Sequence, residues 1–132
     1  MAEARLSDWK NLPMPERCRP FPIEMDLAPE EMVLLRRGHI PRGMEDKWFC
    51  CFADGVFYLF RSWTGFCIYR IPVSPEGKIR GGTVNRDPAQ HRETDPGRDA
   101  VMAEYLIRCQ IGRPGRKELM MKYVRWGKEM EG

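Results

Sequence analysis

Residues 44–65 read MEDKWFCCFADGVFYLFRSWTG, and their reading decides the fold. Two aromatic and β-branched runs, KWFCCFA and VFYLFR, flank Asp54-Gly55. Both central residues of a type I′ turn need positive φ, which an Asp-Gly pair adopts at low steric cost, so the stretch predicts a β-hairpin. A second turn, SWTG, leads into FCIYRIPV, where Phe66, Ile68 and Arg70 alternate with Cys67, Tyr69 and Ile71. Three antiparallel strands in a meander follow from this pattern.

On the N-terminal side, APEEMVLLRRG carries the signals of a short helix. Pro29 stands in the first turn, Glu30 and Glu31 at the positive end of the dipole, Arg36 and Arg37 at the negative end, and Gly38 at the stop. Met32, Leu35 and either Val33 or Leu34 would form its buried face. Ahead of it, Pro13, Pro15, Pro20 and Pro22 interrupt regular structure until FPIEMDL, which reads as one short edge strand. This arm is expected to lie over the core, anchored by Trp9 and Phe21.

On the C-terminal side, IRGGTVN suggests a fourth strand, with Gly81-Gly82 weakening it or marking a bulge. RDPAQHRETDPGRD reads as loop up to a helix start, with Asp95 as cap and Pro96 in the first turn. The helix DAVMAEYLIRCQI would bury Val101, Met102, Tyr105, Leu106 and Cys109, and RKELMMKYVRW would turn Leu119, Met120, Tyr123 and Val124 inward. The expected fold is α+β: an antiparallel β-meander of three to five strands, packed on one face by two or three α-helices. A chain of 132 residues suits a single domain, with 1–27 a Pro-rich N-terminal arm and 28–132 the α+β core.

Composition excludes several function classes. A net charge of +3, with both signs interspersed, makes no case for nucleic acid. No apolar run approaches the roughly 18 residues of a membrane span, and MAEARLSDWK lacks the pattern of a signal peptide, so a cytoplasmic protein without membrane contact is expected. The five cysteines form no CxxC pair and read as reduced, mostly buried small hydrophobes. There is no glycine-rich phosphate loop, no GxSxG elbow and no histidine pair at metal-ligand spacing, so no cofactor or metal is expected.

The candidate site comes from clustering. Pairing across Asp54-Gly55 brings Lys47 near Ser62 and Trp48 near Arg61 at the far end of the hairpin. Lys47 and Arg61 supply cationic donors, Ser62 and Thr64 hydroxyls, Trp63 a flat apolar face, and Gly65 room for close approach. A phosphate, a carboxylate or a base on a ribose needs those parts. The plain alternative is an ordinary cross-strand ion pair of Glu45 or Asp46 with Arg61 or Lys47, with Trp63 capping the core. Asn85, Arg86 and Asp87 read most simply as a turn, His91 as an exposed loop residue without a nameable partner, and His39 as a group bonding the end of the first helix. Glu93, Asp95 and Asp99 surround a helix start, where acids are expected for electrostatic reasons alone.

The blocks GHIPRGMEDKWF, FRSWTGFCIYRI and VNRDPAQHRETD, followed by AVMAEYLIR, resemble a small uncharacterised bacterial and phage family associated with ADP-ribosylglycohydrolase and macrodomain genes. The resemblance spans about residues 38 to 108. It implies an ADP-ribose-like or NAD-derived ligand and points to His39, Glu45, Lys47, Arg61, Trp63, Thr64, Asn85 and Arg86. On this reading Lys47, Arg61 and Arg86 take the anionic part, Trp63 stacks, and Glu45 bonds a ribose hydroxyl. The chain would be an accessory domain, a signal-sequestering protein or a ligand-modifying enzyme of bacterial or phage defence, with Glu45 or His39 as acid or base. The alternative is a protein-interaction module, such as an immunity or inhibitor protein, that uses the aromatic hairpin and its edge. An exposed edge strand would also admit a homodimer.

Overall fold

A computed structural model describes residues 3–131, and side chains up to residue 126. Five strands form one antiparallel sheet: β1 (Cys18–Asp26), β2 (Trp48–Ala53), β3 (Val56–Arg61), β4 (Cys67–Pro72) and β5 (Lys78–Asn85), in the order β1-β5-β4-β3-β2. Three helices accompany it: α1 (Pro29–Arg37), α2 (Pro96–Ile111) and α3 (Arg116–Glu131). The architecture is α+β. No helix among the described residues is long and apolar enough to cross a membrane.

The hairpin forms as its turn chemistry predicts, with φ of 50° at Asp54 and 77° at Gly55 and the register Trp48↔Arg61 to Ala53↔Val56. Helix α1 starts where the Glu31 carboxylate accepts the Ala28 amide at 2.8 Å. It stops at Gly38, whose φ of 65° and close approach to the Cys50 carbonyl leave no room for a Cβ. Met32 and Leu35 are buried and Leu34 packs on the core, while Val33 faces solvent. In α2, Asp95 accepts the Gly97 amide at 2.8 Å, so the expected cap is present.

The N-terminal arm departs most from expectation. Its strand begins at Cys18 rather than Phe21 and runs the length of β5, from Cys18↔Asn85 to Asp26↔Lys78. Prolines at 20 and 22 are tolerated because β1 pairs on one edge only, and a bulge sets Pro22 and Ile23 against Gly81 alone. The residues before β1 cross the sheet face opposite the helices. There Ala4 joins Phe49, Cys51, Phe60 and Cys67 in a second buried cluster, with Trp9, Met14 and Tyr58 packed against it. The sheet is therefore covered on both faces. Phe21 belongs instead to the main core of Ile23, Leu35, Phe57, Leu59, Ile71, Ile79 and Ile107.

Helix α2 buries Val101, Ala103, Ile107 and Ile111, with Met102 and Leu106 at the margin, whereas Cys109 is exposed. In α3 Leu119, Met120 and Tyr123 are half-buried and Val124 is exposed. The stripe of α2 is thus displaced by part of a turn, while α3 differs from expectation at Val124. Gln110 donates to the Leu34 and Gly38 carbonyls at 2.9 and 2.8 Å, fixing α2 to the end of α1.

Candidate functional site

A bulge in β4 begins the site. Leu59 pairs with Tyr69 and Phe60 with Cys67, so Ile68 has no opposite residue and both Ile68 and Tyr69 turn into the helix-side core. The Tyr69 hydroxyl donates to Oδ1 of Asp99 at 3.0 Å. Asp99 is completely buried, and its other oxygen receives the Arg86 guanidinium at 2.6 Å. His91 Nε2 lies 2.9 Å from Oδ1. One carboxylate thus ties together β4, the loop after β5 and the first turn of α2, and a charge buried at that depth is tolerated only with such partners. Burial, with the Asp99 charge next to it, holds the Tyr69 hydroxyl well above the usual range and keeps it a donor.

The surrounding loop is tied as tightly. Asn85, wholly buried, donates to the Cys67 carbonyl and to Gln90 Oε1, both at 2.8 Å, and accepts the Asp87 amide in the expected turn. Arg86 also donates to the Glu93 carbonyl at 2.9 Å, and Glu93 pairs with Arg98, whose guanidinium stacks 3.7 Å over the Tyr123 ring.

Beside this network opens a cavity of about 280 Å³, bordered by Trp48, Arg61, Tyr69, Gln90, His91, Arg92, Met102 and Tyr123. Arg61 stands 4.7 Å from the Trp48 ring centre. Desolvation lowers its pKa from the ordinary value, and no carboxylate among the described residues lies within ion-pair distance of it. The His91 ring meets Tyr69 edge-on and, with Nε2 on Asp99, directs its remaining chemistry through Nδ1.

The residues singled out in the sequence divide between two places. Arg61 lines this cavity, and Asn85 and Arg86 brace its wall. Lys47 and Arg61 do not form one site, because Lys47 is opposite Ser62 and Trp48 opposite Arg61, and neighbouring ladder positions face opposite sides of a sheet. Lys47 lies 4.8 Å from the Trp63 ring centre on the other side. There the Trp63 indole donates to the Met44 carbonyl at 2.9 Å, the buried Ser62 hydroxyl to the Asp46 carbonyl at 2.7 Å, and Thr64 Oγ1 accepts the Phe66 amide at 3.2 Å. Gly65 does permit close approach, but by the chain's own arm, whose Leu12 amide donates to its carbonyl at 2.8 Å. His39 pairs with Asp46 at 2.6 Å instead of closing α1, and Glu45 is exposed.

Two residues of the network have a larger part than the sequence suggests. His91 is no free loop residue, since Asp99 holds it. Asp99 is no ordinary first-turn acid, and a signal existed: Asp99, Ala103, Ile107 and Ile111 recur at four-residue spacing, which sets the acid at the head of the helix's buried stripe. Among the described residues no group of three or more His, Cys, Asp or Glu could hold a metal ion.

No protein-family model, curated protein or solved structure matches the chain.

Proposed function

We propose that this chain binds a phosphorylated nucleotide of the ADP-ribose type, with its anionic end in the cavity between Arg61, His91 and Arg92. The observation that carries this reading is Arg61, a partly desolvated cation with five N–H donors, no carboxylate partner among the described residues and an aromatic wall behind it. A bidentate anion compensates such a group, and phosphate matches its fork. The three blocks that carry the family resemblance meet here, through Trp48, through Arg61 and Tyr69, and through Gln90 to Arg92.

The volume sets a bound on the ligand. About 280 Å³ lies just under the roughly 300–1,000 Å³ of sites that engulf a whole ligand, so one end of the molecule, a phosphate with its sugar, is the part enclosed. Roles shift accordingly from those the sequence suggested. Arg61 and Arg92 take the anion, Trp48 and Tyr123 the flat wall, and Asn85 and Arg86 hold the loop rather than the ligand. Lys47, Trp63, Glu45 and His39 fall outside this reading. Were the ligand also modified, His91 Nδ1 would be the proton-transfer group, oriented by Asp99.

A thermal-shift series with ADP-ribose, NAD, AMP and inorganic phosphate tests the reading, with mass spectrometry of each mixture. A ligand at a hundredfold excess over its Kd stabilises the folded state by about 2.7 kcal/mol, a shift of several degrees. The shift is expected with wild type and lost in Arg61→Ala, whose unliganded melting temperature stays near that of wild type. Ligand recovered intact indicates a binding module, and altered mass an enzyme. Absence of a shift with every probe overturns the reading.

A further inference from the structure

We propose that the groove on the opposite side of the Arg61–Gly65 turn docks an acidic segment of a partner protein carrying one apolar anchor side chain. The groove, of about 520 Å³, lies between the N-terminal arm and the hairpin end, and Trp9, Pro41, Met44 and Trp63 form its apolar lining. Lys10 and Arg42 complete it, and no carboxylate borders it. Among the described residues neither cation has an ion-pair partner. The nearby Asp46 is already taken by His39 and by the Arg42 amide, so the cationic rim is complementary to an acidic occupant.

The kind of occupant follows from the donors. A small-molecule site needs a few convergent polar groups that fix orientation. Here they are engaged: the Trp9 indole donates to the Ser62 carbonyl at 2.7 Å, the Trp63 indole to Met44, and the Ser62 hydroxyl to Asp46. Those bonds hold both indoles in place while leaving apolar surface open. Met44 is 75%, Trp63 56% and Leu12 45% exposed, and Leu12 is bonded to the same turn, so the apolar surface continues past the groove. Rigid tryptophans, a methionine and an arginine, with their polar atoms satisfied internally, are the composition of a protein-binding hot spot. This docking surface is independent of the cavity, which lies on the other side of the sheet.

The test is a random twelve-residue peptide display library panned on the whole chain, followed by fluorescence-polarisation titration of one enriched peptide. Enriched peptides are expected to be acidic around a Leu, Phe or Trp. Trp63→Ala should weaken binding about thirtyfold, as loss of a central anchor does. Arg42→Glu and Lys10→Glu should each weaken it several-fold, and salt should weaken the wild-type complex further. All three residues are solvent-facing in whole or part, and circular dichroism establishes that the variants fold. No enrichment, enrichment without acidic bias, or binding indifferent to all three variants overturns the proposal. So does a wild-type dimer that Trp63→Ala dissociates, since the occupant is then a second copy.

Discussion

On one side of the turn at residues 61–65, Arg61 faces a narrow cavity whose neighbouring carboxylate, Asp99, is already shared by Arg86, His91 and Tyr69. On the other side, Trp63 faces open solvent across a groove whose indole and hydroxyl donors are bonded to backbone carbonyls. The first side has a cation lacking its anion, and the second has apolar surface lacking its cover. Both arise at one strand end: Arg61 closes β3 toward the cavity, its neighbour Ser62 projects to the opposite face, and the turn carries Trp63 over the groove. A five-residue segment therefore serves two surfaces, one demanding a directional anion and the other shape and charge.

The contrast makes stability respond unequally on the two sides. Asp99→Ala strips a fully buried carboxylate from three donors and should cost about 3–5 kcal/mol, read as a lower denaturation midpoint at unchanged slope. Trp9→Ala, on the groove side, removes an indole packed on the second cluster and its hydrogen bond to Ser62. It should cost about 2 kcal/mol and open the arm to protease before the sheet unfolds. Trp63→Ala, at a side chain more than half exposed, should stay within about 0.5 kcal/mol while weakening peptide capture about thirtyfold.

Alkali sharpens the contrast in a different way. Burial pushes the Cys51 thiol up to about 11 and the Cys67 thiol to about 12, both under the arm, and Tyr69 is raised on the cavity side. Groups whose pKa is raised by folding bind protons more tightly in the native state. Their contribution is whole below the unfolded thiol value of about 8.5 and is lost as pH climbs from there through the native values of about 11 and 12. Denaturation midpoints should accordingly hold to about pH 8.5 and decline beyond it. Cys51→Ala with Cys67→Ala should flatten part of that decline, leaving the share due to the other groups that burial raises, Cys50 and Tyr69 foremost. In native protein at neutral pH, a thiol reagent should modify exposed Cys109 ahead of buried Cys50, Cys51 and Cys67.

What could be read in advance divides by range. Asp54-Gly55, Glu31 in the first turn of α1, Gly38 and the Asp95 cap are local devices, each set within a few residues, and the structure has them all. Residues 18–20 are strand despite Pro20, because a strand bonded on one edge accommodates proline, which elsewhere in a sheet is a breaker. Lys47 and Arg61 are close along paired strands yet face opposite sides, a distinction that strand pairing alone does not make. The Tyr69–Asp99 contact has a third origin: the bulge at Ile68 that turns Tyr69 toward Asp99 depends on how β3 and β4 register, which no short window of sequence specifies.

Strand β1 is the first to be synthesised, yet its partner β5 is the last strand of the sheet, with all of β2 to β4 made between them. On the ribosome, residues 18–26 must wait with one whole edge unsatisfied while the hairpin and meander form, and the loop they then close is a long one. The growing chain is thus exposed to mispairing for as long as β5 is missing, and an early stop before residue 78 would release a meander whose outer strand β4 is bare along one edge.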